Sequence, residues 1–198
     1  MLKLINWLKS AFSWPDIEPI EEPQLRQLAW GRKMSPACRD KVFSIADDLV
    51  TEPDHIMAVI AFESAETFRP DIKNFAGSGA TGLIQFMPAT ARGLGTSVEA
   101  LAKMTVLEQL DWVHAYFRPY RGKMKTLSDV YMAVLWPKAV GKPEDYVLWT
   151  KATMPTTYRQ NAGLDANKDG LIKKNEAAAK VAAKLEAGRL APNLWEGV

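Results

Sequence analysis

Residues 58–86 read AVIAFESAETFRPDIKNFAGSGATGLIQF, and two different kinds of chain meet inside that stretch. The first part continues a helical stripe through Ile56, Val59 and Ile60 and places Glu63 on its apolar side. A carboxyl on such a face is costly to ionise unless it is paired. Burial also raises its pKa toward neutrality, where a general acid has to operate. Glu66 adds a like charge one turn on, and Arg69 is the nearest cation. Periodicity alone therefore leaves Glu63 as either a catalytic acid or a structural carboxylate held by Arg69 or a backbone N–H. The second part, from Ile72 to Phe86, is glycine-rich (Gly77, Gly79, Gly82) and irregular, with room for a small β-hairpin. Leu83, Ile84, Phe86 and Met87 are too apolar for a loop that faces water. They anchor the segment and leave Gln85 to present its amide to a ligand. A rigid loop beside a helix-terminal carboxyl is the geometry of a binding cleft.

Working outward, the chain reads as a succession of helices. Pro36 to Val50 carries Val42, Ile45, Ala46 and Leu49 on one side, and Pro53 opens a second helix reaching about Glu66. Met87-Pro88 begins a short helix through Ala91, with Gly93 and Gly95 ending it. Further helices are expected over Val98–Leu101, Val106–Phe117, Leu127–Leu135 and Asn175–Glu186. Hardly any strand is expected, there is no internal repeat, and the fold class is mostly α.

With 198 residues, 47% apolar and 24% charged, the chain can bury one core, with a small appendage. A net charge of +2 gives no case for nucleic-acid binding. The single cysteine, Cys38, excludes an internal disulfide, and His55 and His114 are too few for most histidine-rich metal sites. Seven tryptophans suit either a helical core or the aromatic faces of a sugar-binding cleft. The start, MLKLINWLKSAFSWP, resembles a signal peptide only superficially. Leu4, Ile5, Leu8, Ala11 and Phe12 form one amphipathic stripe interrupted by Lys3, Asn6 and Lys9, and no small-residue cleavage site is clear. The stripe suits docking on the body or contact with a membrane surface, without stable insertion. Pro15 to Pro23 follows as an acidic, proline-rich strap.

A second chemical signal lies at residues 165–176, DANKDGLIKKNE. Asp165, Asn167, Asp169 and Glu176 stand at positions 1, 3, 5 and 12 of an EF-hand-like calcium loop. Gly170 is at position 6, and Leu171 can offer its carbonyl at position 7. Sensors pair two such loops, each between two helices; this chain has one, with a poor incoming helix and a good outgoing one. The reading is a structural calcium clip that fastens the last helix.

Glu63-Ser64, then Phe68-Arg69-Pro70, then Ser78 through Pro88 (SGATGLIQFMP) resemble the soluble lytic transglycosylase domain. That family has a lysozyme-like α fold related to goose-type lysozymes. The resemblance runs from about Pro36 to Tyr158, and with the calcium-like loop the whole is similar to phage endolysins of this class. Together with the N-terminal reading this divides the chain into residues 1–30, an amphipathic helix and strap, and 31–198, the catalytic domain including the loop. Glu63 matches the catalytic acid/base, Ser64 a hydroxyl orienting the substrate, Gln85 a sugar-binding amide and Met87 a residue lining the cleft. The family's Ala-Tyr-Asn-Ala-Gly segment is replaced here by Tyr131-Met132-Ala133-Val134-Leu135-Trp136-Pro137, where Trp136 offers a stacking platform. Tyr158 is the first candidate for the family's late tyrosine beside the glutamate, and Tyr131 the second.

The implied activity is cleavage of the β-1,4 bond between N-acetylmuramic acid and N-acetylglucosamine in peptidoglycan, giving 1,6-anhydromuramyl ends. No metal takes part in that chemistry. Two alternatives stand beside it. One is a hydrolytic muramidase of goose-lysozyme type, with Glu66 or Asp71 holding a water; the other is a non-catalytic wall-binding or virion protein. The expected partner is the glycan strand, met by a monomer in the periplasm or cell wall after release by a holin or carriage in a virion.

Overall fold

The computed structural model describes residues 25–74 and 77–198. The amphipathic stripe and the strap up to Pro23 lie outside the described residues. The helices are α1 (Pro36–Leu49), α2 (Pro53–Glu63), α3 (Pro88–Leu94), α4 (Val98–Leu101), α5 (Val106–Phe117), α6 (Leu127–Leu135), α7 (Pro155–Gln160) and α8 (Lys174–Arg189). Four short strands join them: β1 (Arg26–Leu28), β2 (Val147–Thr150), β3 (Leu171–Lys173) and β4 (Trp195–Gly197).

Local chemistry explains most helix boundaries. Ser35 Oγ accepts the Cys38 N–H and Pro36 sits at the first helical position of α1. Thr105 with Glu108 and Thr126 with Asp129 form reciprocal capping boxes at α5 and α6. Two helices run longer than the sequence suggested: α3 continues to Leu94, and α8 spans Lys174–Arg189. α2 is shorter, ending at Glu63 where the backbone turns left-handed at Ala65 and Glu66.

α2 is the centre of the molecule. Ile56 through Ala61 are each fully buried, all the way round the helix, because α1, α6 and α8 pack against it. Each such Ile, Met or Val contributes roughly 1.5–3 kcal/mol of apolar burial. β1 pairs antiparallel with β4, so residues near the two ends of the chain share one ribbon. Residues 26–30, grouped with the strap by the sequence, thus lie on the body: Trp30 is 2% exposed and its Nε1–H donates to the Lys184 carbonyl. β2 pairs antiparallel with β3. These strands and the short helix α7 are what the sequence reading missed; a strand of three or four residues is too short to show an alternating pattern. Among the described residues no helix is long and apolar enough to cross a membrane.

Candidate active site

Glu63 is the last residue of α2 and lines a cleft of about 210 Å³ with Phe62, Ala65, Ile72, Lys73, Asn74 and Gln85. Burial pushes its carboxyl up to about 7. Among the described residues it has no ion pair or hydrogen-bonding side chain to hold it ionised. The pairing with Arg69 does not form. That guanidinium instead makes a two-pronged contact with Asp71, at 3.0 and 2.7 Å, on the surface. Glu66 is also drawn off, with its carboxylate 2.5 Å from Lys184 Nζ on α8. Both acids that a second-carboxylate mechanism would require are therefore engaged with cations outside the cleft.

The turn after Glu63 is built under strain. Ala65, Glu66 and Phe68 all have positive φ, as does Gln85 across the cleft. Such backbone costs of order 1–3 kcal/mol per residue and persists only where the surroundings enforce it. Ser64 does part of the enforcing. It is fully buried, its Oγ accepts the Phe68 N–H at 3.1 Å, and its carbonyl accepts the Thr67 hydroxyl at 2.7 Å. The hydroxyl expected to orient substrate is spent on the turn that presents Glu63.

Across the cleft, the predicted hairpin is reduced to single bridges, Lys73 with Thr81 and Thr81 with Phe86. Gln85 Nε2 donates to the carbonyls of Ile72 and Gly82, at 3.3 and 3.1 Å, so the amide is fixed to its own loop. Gln85 also lines a smaller cavity of about 80 Å³ with Met87, Tyr116 and Val134. Met87 is 46% exposed at the start of α3. One residue thus joins the Glu63 cleft to the Met87 side.

Tyr131 on α6 is buried and meets Phe62 edge-on at 5.5 Å. Burial and then the Glu63 charge raise its phenol. Tyr116 on α5 is pushed up to about 12 by burial, Tyr120 and Glu63, and its hydroxyl donates to the Ala133 carbonyl. These two phenols feel the Glu63 charge. Tyr158, on α7, donates its hydroxyl to Asp165 at 2.6 Å and answers to Asp165 and Asp169 instead. Trp136 is half-buried at the end of α6, packed edge-on against Trp149 at 5.4 Å, with Lys138 over its ring.

Residues 165–176 close a tight loop leading into α8. Asp165 is 6% exposed; Oδ2 takes the Tyr158 hydroxyl and the Gly170 N–H, while Oδ1 is buried with no partner. Gly170 has φ +84, which its position in the loop requires. Asp169 accepts from Asn167, Leu171 and Lys173, and Glu176 caps α8 through the Lys173 N–H. Among the described residues no three His, Cys, Asp or Glu side chains converge as a metal would require. The orphaned Asp165 Oδ1 is the one feature that fits a cation directly. β3, inside this loop, finds its partner in β2.

The sequence reading passed over Gln109. This α5 residue is fully buried, and its Oε1 accepts the Leu83 N–H at 2.7 Å, just upstream of Gln85. Its place on the buried stripe with Leu110, Val113 and Phe117 was the available signal.

No curated protein matches the chain. The match to a known family begins in α1 and ends in α5, taking in Glu63, Ser64, Gln85 and Met87 but not Tyr131, Trp136, Tyr158 or the 165–176 loop. Proteins with that domain are lytic transglycosylases acting on peptidoglycan. Residues 42–112 match the family model of the transglycosylase SLT domain, and that stretch is similar to a soluble lytic transglycosylase, lysozyme-like domain.

Proposed function

We propose that the chain is a peptidoglycan lytic transglycosylase of phage endolysin type, with Glu63 as its acid and base. The observation that carries this reading is a lone half-buried carboxyl, raised to about 7 by desolvation, at the strained end of the central helix in a cleft. Cleavage of a β-1,4 link starts with proton donation to the departing O4, for which a neutral Glu63 is suited. As the C1–O4 bond breaks, the substrate's own 2-acetamido oxygen assists at C1. Glu63, now a carboxylate, takes the proton of the C6 hydroxyl as that oxygen bonds C1. The products are an N-acetylglucosamine end carrying the original proton and a 1,6-anhydromuramyl end, and Glu63 is again neutral. The engagement of Glu66 with Lys184 and of Asp71 with Arg69 favours this one-carboxylate route over hydrolysis. Gln85 and Met87 line the glycan path, and the buried phenol of Tyr131 stays protonated beside Glu63. Trp136 and Tyr158 remain candidates for the far side.

The protein acts as a monomer on glycan strands, delivered by a holin or in a virion. Calcium is proposed as a structural clip held by Asp165, Asn167, Asp169, the Leu171 carbonyl and Glu176. When bound it would supply charge to fasten the start of α8. Glu63→Gln tests the enzyme assignment: clearing of purified peptidoglycan falls to background while the fold persists. Clearing at the wild-type rate overturns it. A wall-binding protein without activity would show no clearing even as wild type.

A further inference from the structure

The transglycosylase reading requires that the C6 hydroxyl outcompete water at C1, and the structure points to the side chain that keeps water out. We infer that Gln109 is a positioning residue, whose buried amide ties the two walls of the Glu63 cleft together and thereby sets the balance between internal attack and hydrolysis. The inference rests on the activity proposed above.

Gln109 is fully buried and every N–H of its amide is used. Nε2 donates to the Pro70 carbonyl at 3.0 Å and the Leu101 carbonyl at 2.8 Å, and Oε1 accepts the Leu83 N–H at 2.7 Å. Its partners are backbone atoms of three separate segments. Two of these lead into the cleft within two residues. Pro70 precedes Ile72, Lys73 and Asn74, which form one wall, and Leu83 precedes Gln85, which forms the other. The walls are then laced to each other, since the Ile72 carbonyl accepts the Gly82 N–H at 2.8 Å and Gln85 Nε2 at 3.3 Å. A buried glutamine with no other duty would satisfy itself on its own helix or one neighbour. This one spans the loop that faces Glu63.

Replacing the amide by an apolar isostere leaves the Leu83 N–H and the Pro70 carbonyl unpaired, while the Leu101 carbonyl keeps the Met104 N–H, and water is the readiest partner for the two left over. Water admitted there competes for C1. In that branch a water oxygen bonds C1, Glu63 takes the water's proton, and the product is a reducing end instead of an anhydro end.

The test compares full-length wild type, Gln109→Met and Leu110→Ala on purified sacculi. Leu110 is the fully buried neighbour on the same helix and serves as a control for lost stability. The measurements are melting temperature, kcat, KM and the ratio of borohydride-reducible to anhydro ends. Gln109→Met is expected to lower kcat by about ten- to a hundred-fold with KM little changed, and to raise the reducing-end fraction about ten-fold. Leu110→Ala is expected to lose melting temperature while keeping the wild-type end ratio. A folded Gln109→Met with wild-type kcat and end ratio overturns the inference, as does an equal shift of that ratio in Leu110→Ala. If Gln109→Met fails to fold, hydrogen exchange of the wild type decides: the Leu83 amide exchanges only with global unfolding, and exchange at a surface-loop rate overturns the inference. A wild type releasing only reducing ends overturns the activity instead, and Gln109 is then judged on kcat and Leu83 exchange.

Discussion

Gly82 and Gln109 meet with no room for a side chain between them: a Cβ on Gly82 would stand 2.3 Å from Gln109 Oε1. Gly82 also has φ +88, so the contact and the backbone both demand glycine. The glycine of the Gly-Leu-Ile-Gln segment is thus tied to a residue 27 positions away (109 minus 82) on another helix. Gly82→Ala is expected to cost at least about 2 kcal/mol of stability and to reduce lysis more than that loss explains. Denaturant melts run beside clearing assays on the folded fraction check this.

Glu63 makes the protein's stability depend on pH in a particular sense. In the unfolded chain its carboxyl releases the proton near the ordinary value of 4.5, whereas in the fold it holds on until about 7. Between those values the folded state binds the extra proton, so stability falls as pH rises from 4.5 to 7 and levels off above. Glu63→Gln is expected to abolish that fall and to be more stable than wild type at pH 8 by about 2–3 kcal/mol, with no difference at pH 4. Equal stability of the two proteins at pH 8 would contradict the burial of the carboxyl. Activity that needs the neutral acid should decline with an alkaline limb near 7.

Lys174 and Asp129 form a buried ion pair, with side chains 1% and 4% exposed and Nζ 2.6 Å from Oδ1. Nζ also donates to the Lys142 carbonyl, and Asp129 takes the Lys125, Thr126 and Gly141 N–H groups. The pair joins the start of α8 to α6, the helix of Tyr131. Lys174→Met strands the Asp129 charge and is expected to cost about 3 kcal/mol, much of it recovered when Asp129→Asn is added. A double-mutant cycle in denaturant measures this. A single substitution that costs nothing would show that the pair is not closed in solution.

The calcium clip is tested by adding calcium to the chelated full-length chain. Melting temperature is expected to rise, by an amount equivalent to about 2.7 kcal/mol at a hundred-fold excess over Kd. Asp165→Ala, which removes the orphaned Oδ1, is expected to abolish the rise. If chelation leaves both melting temperature and lytic rate unchanged, residues 165–176 form only a calcium-like turn.

Much of the helical frame was legible because its signals are local. Pro36, Pro53 and Pro88 each mark a start at the first turn of the helix they open. Glu63 was legible for the same reason, as an acid on an apolar stripe. What escaped was set by distance along the chain. β1 exists because β4, near the other end, lies beside it. Ser64 sits next to the acid in sequence, yet its hydroxyl turns inward to Phe68, and spacing cannot report direction at a helix end. Arg69 is close to Glu63 in sequence and pairs with Asp71 instead. The buried stripe of α5 marks Gln109 as a core position, but nothing in its own helix shows that it reaches Pro70 and Leu83.

The most direct measurement is mass spectrometry of the muropeptides that the full-length protein releases from purified sacculi, run beside Glu63→Gln. The account predicts fragments ending in 1,6-anhydromuramic acid, inert to borohydride, from the wild type and none from the variant. Fragments with reducing ends that borohydride labels, or the same yield from Glu63→Gln, would contradict it.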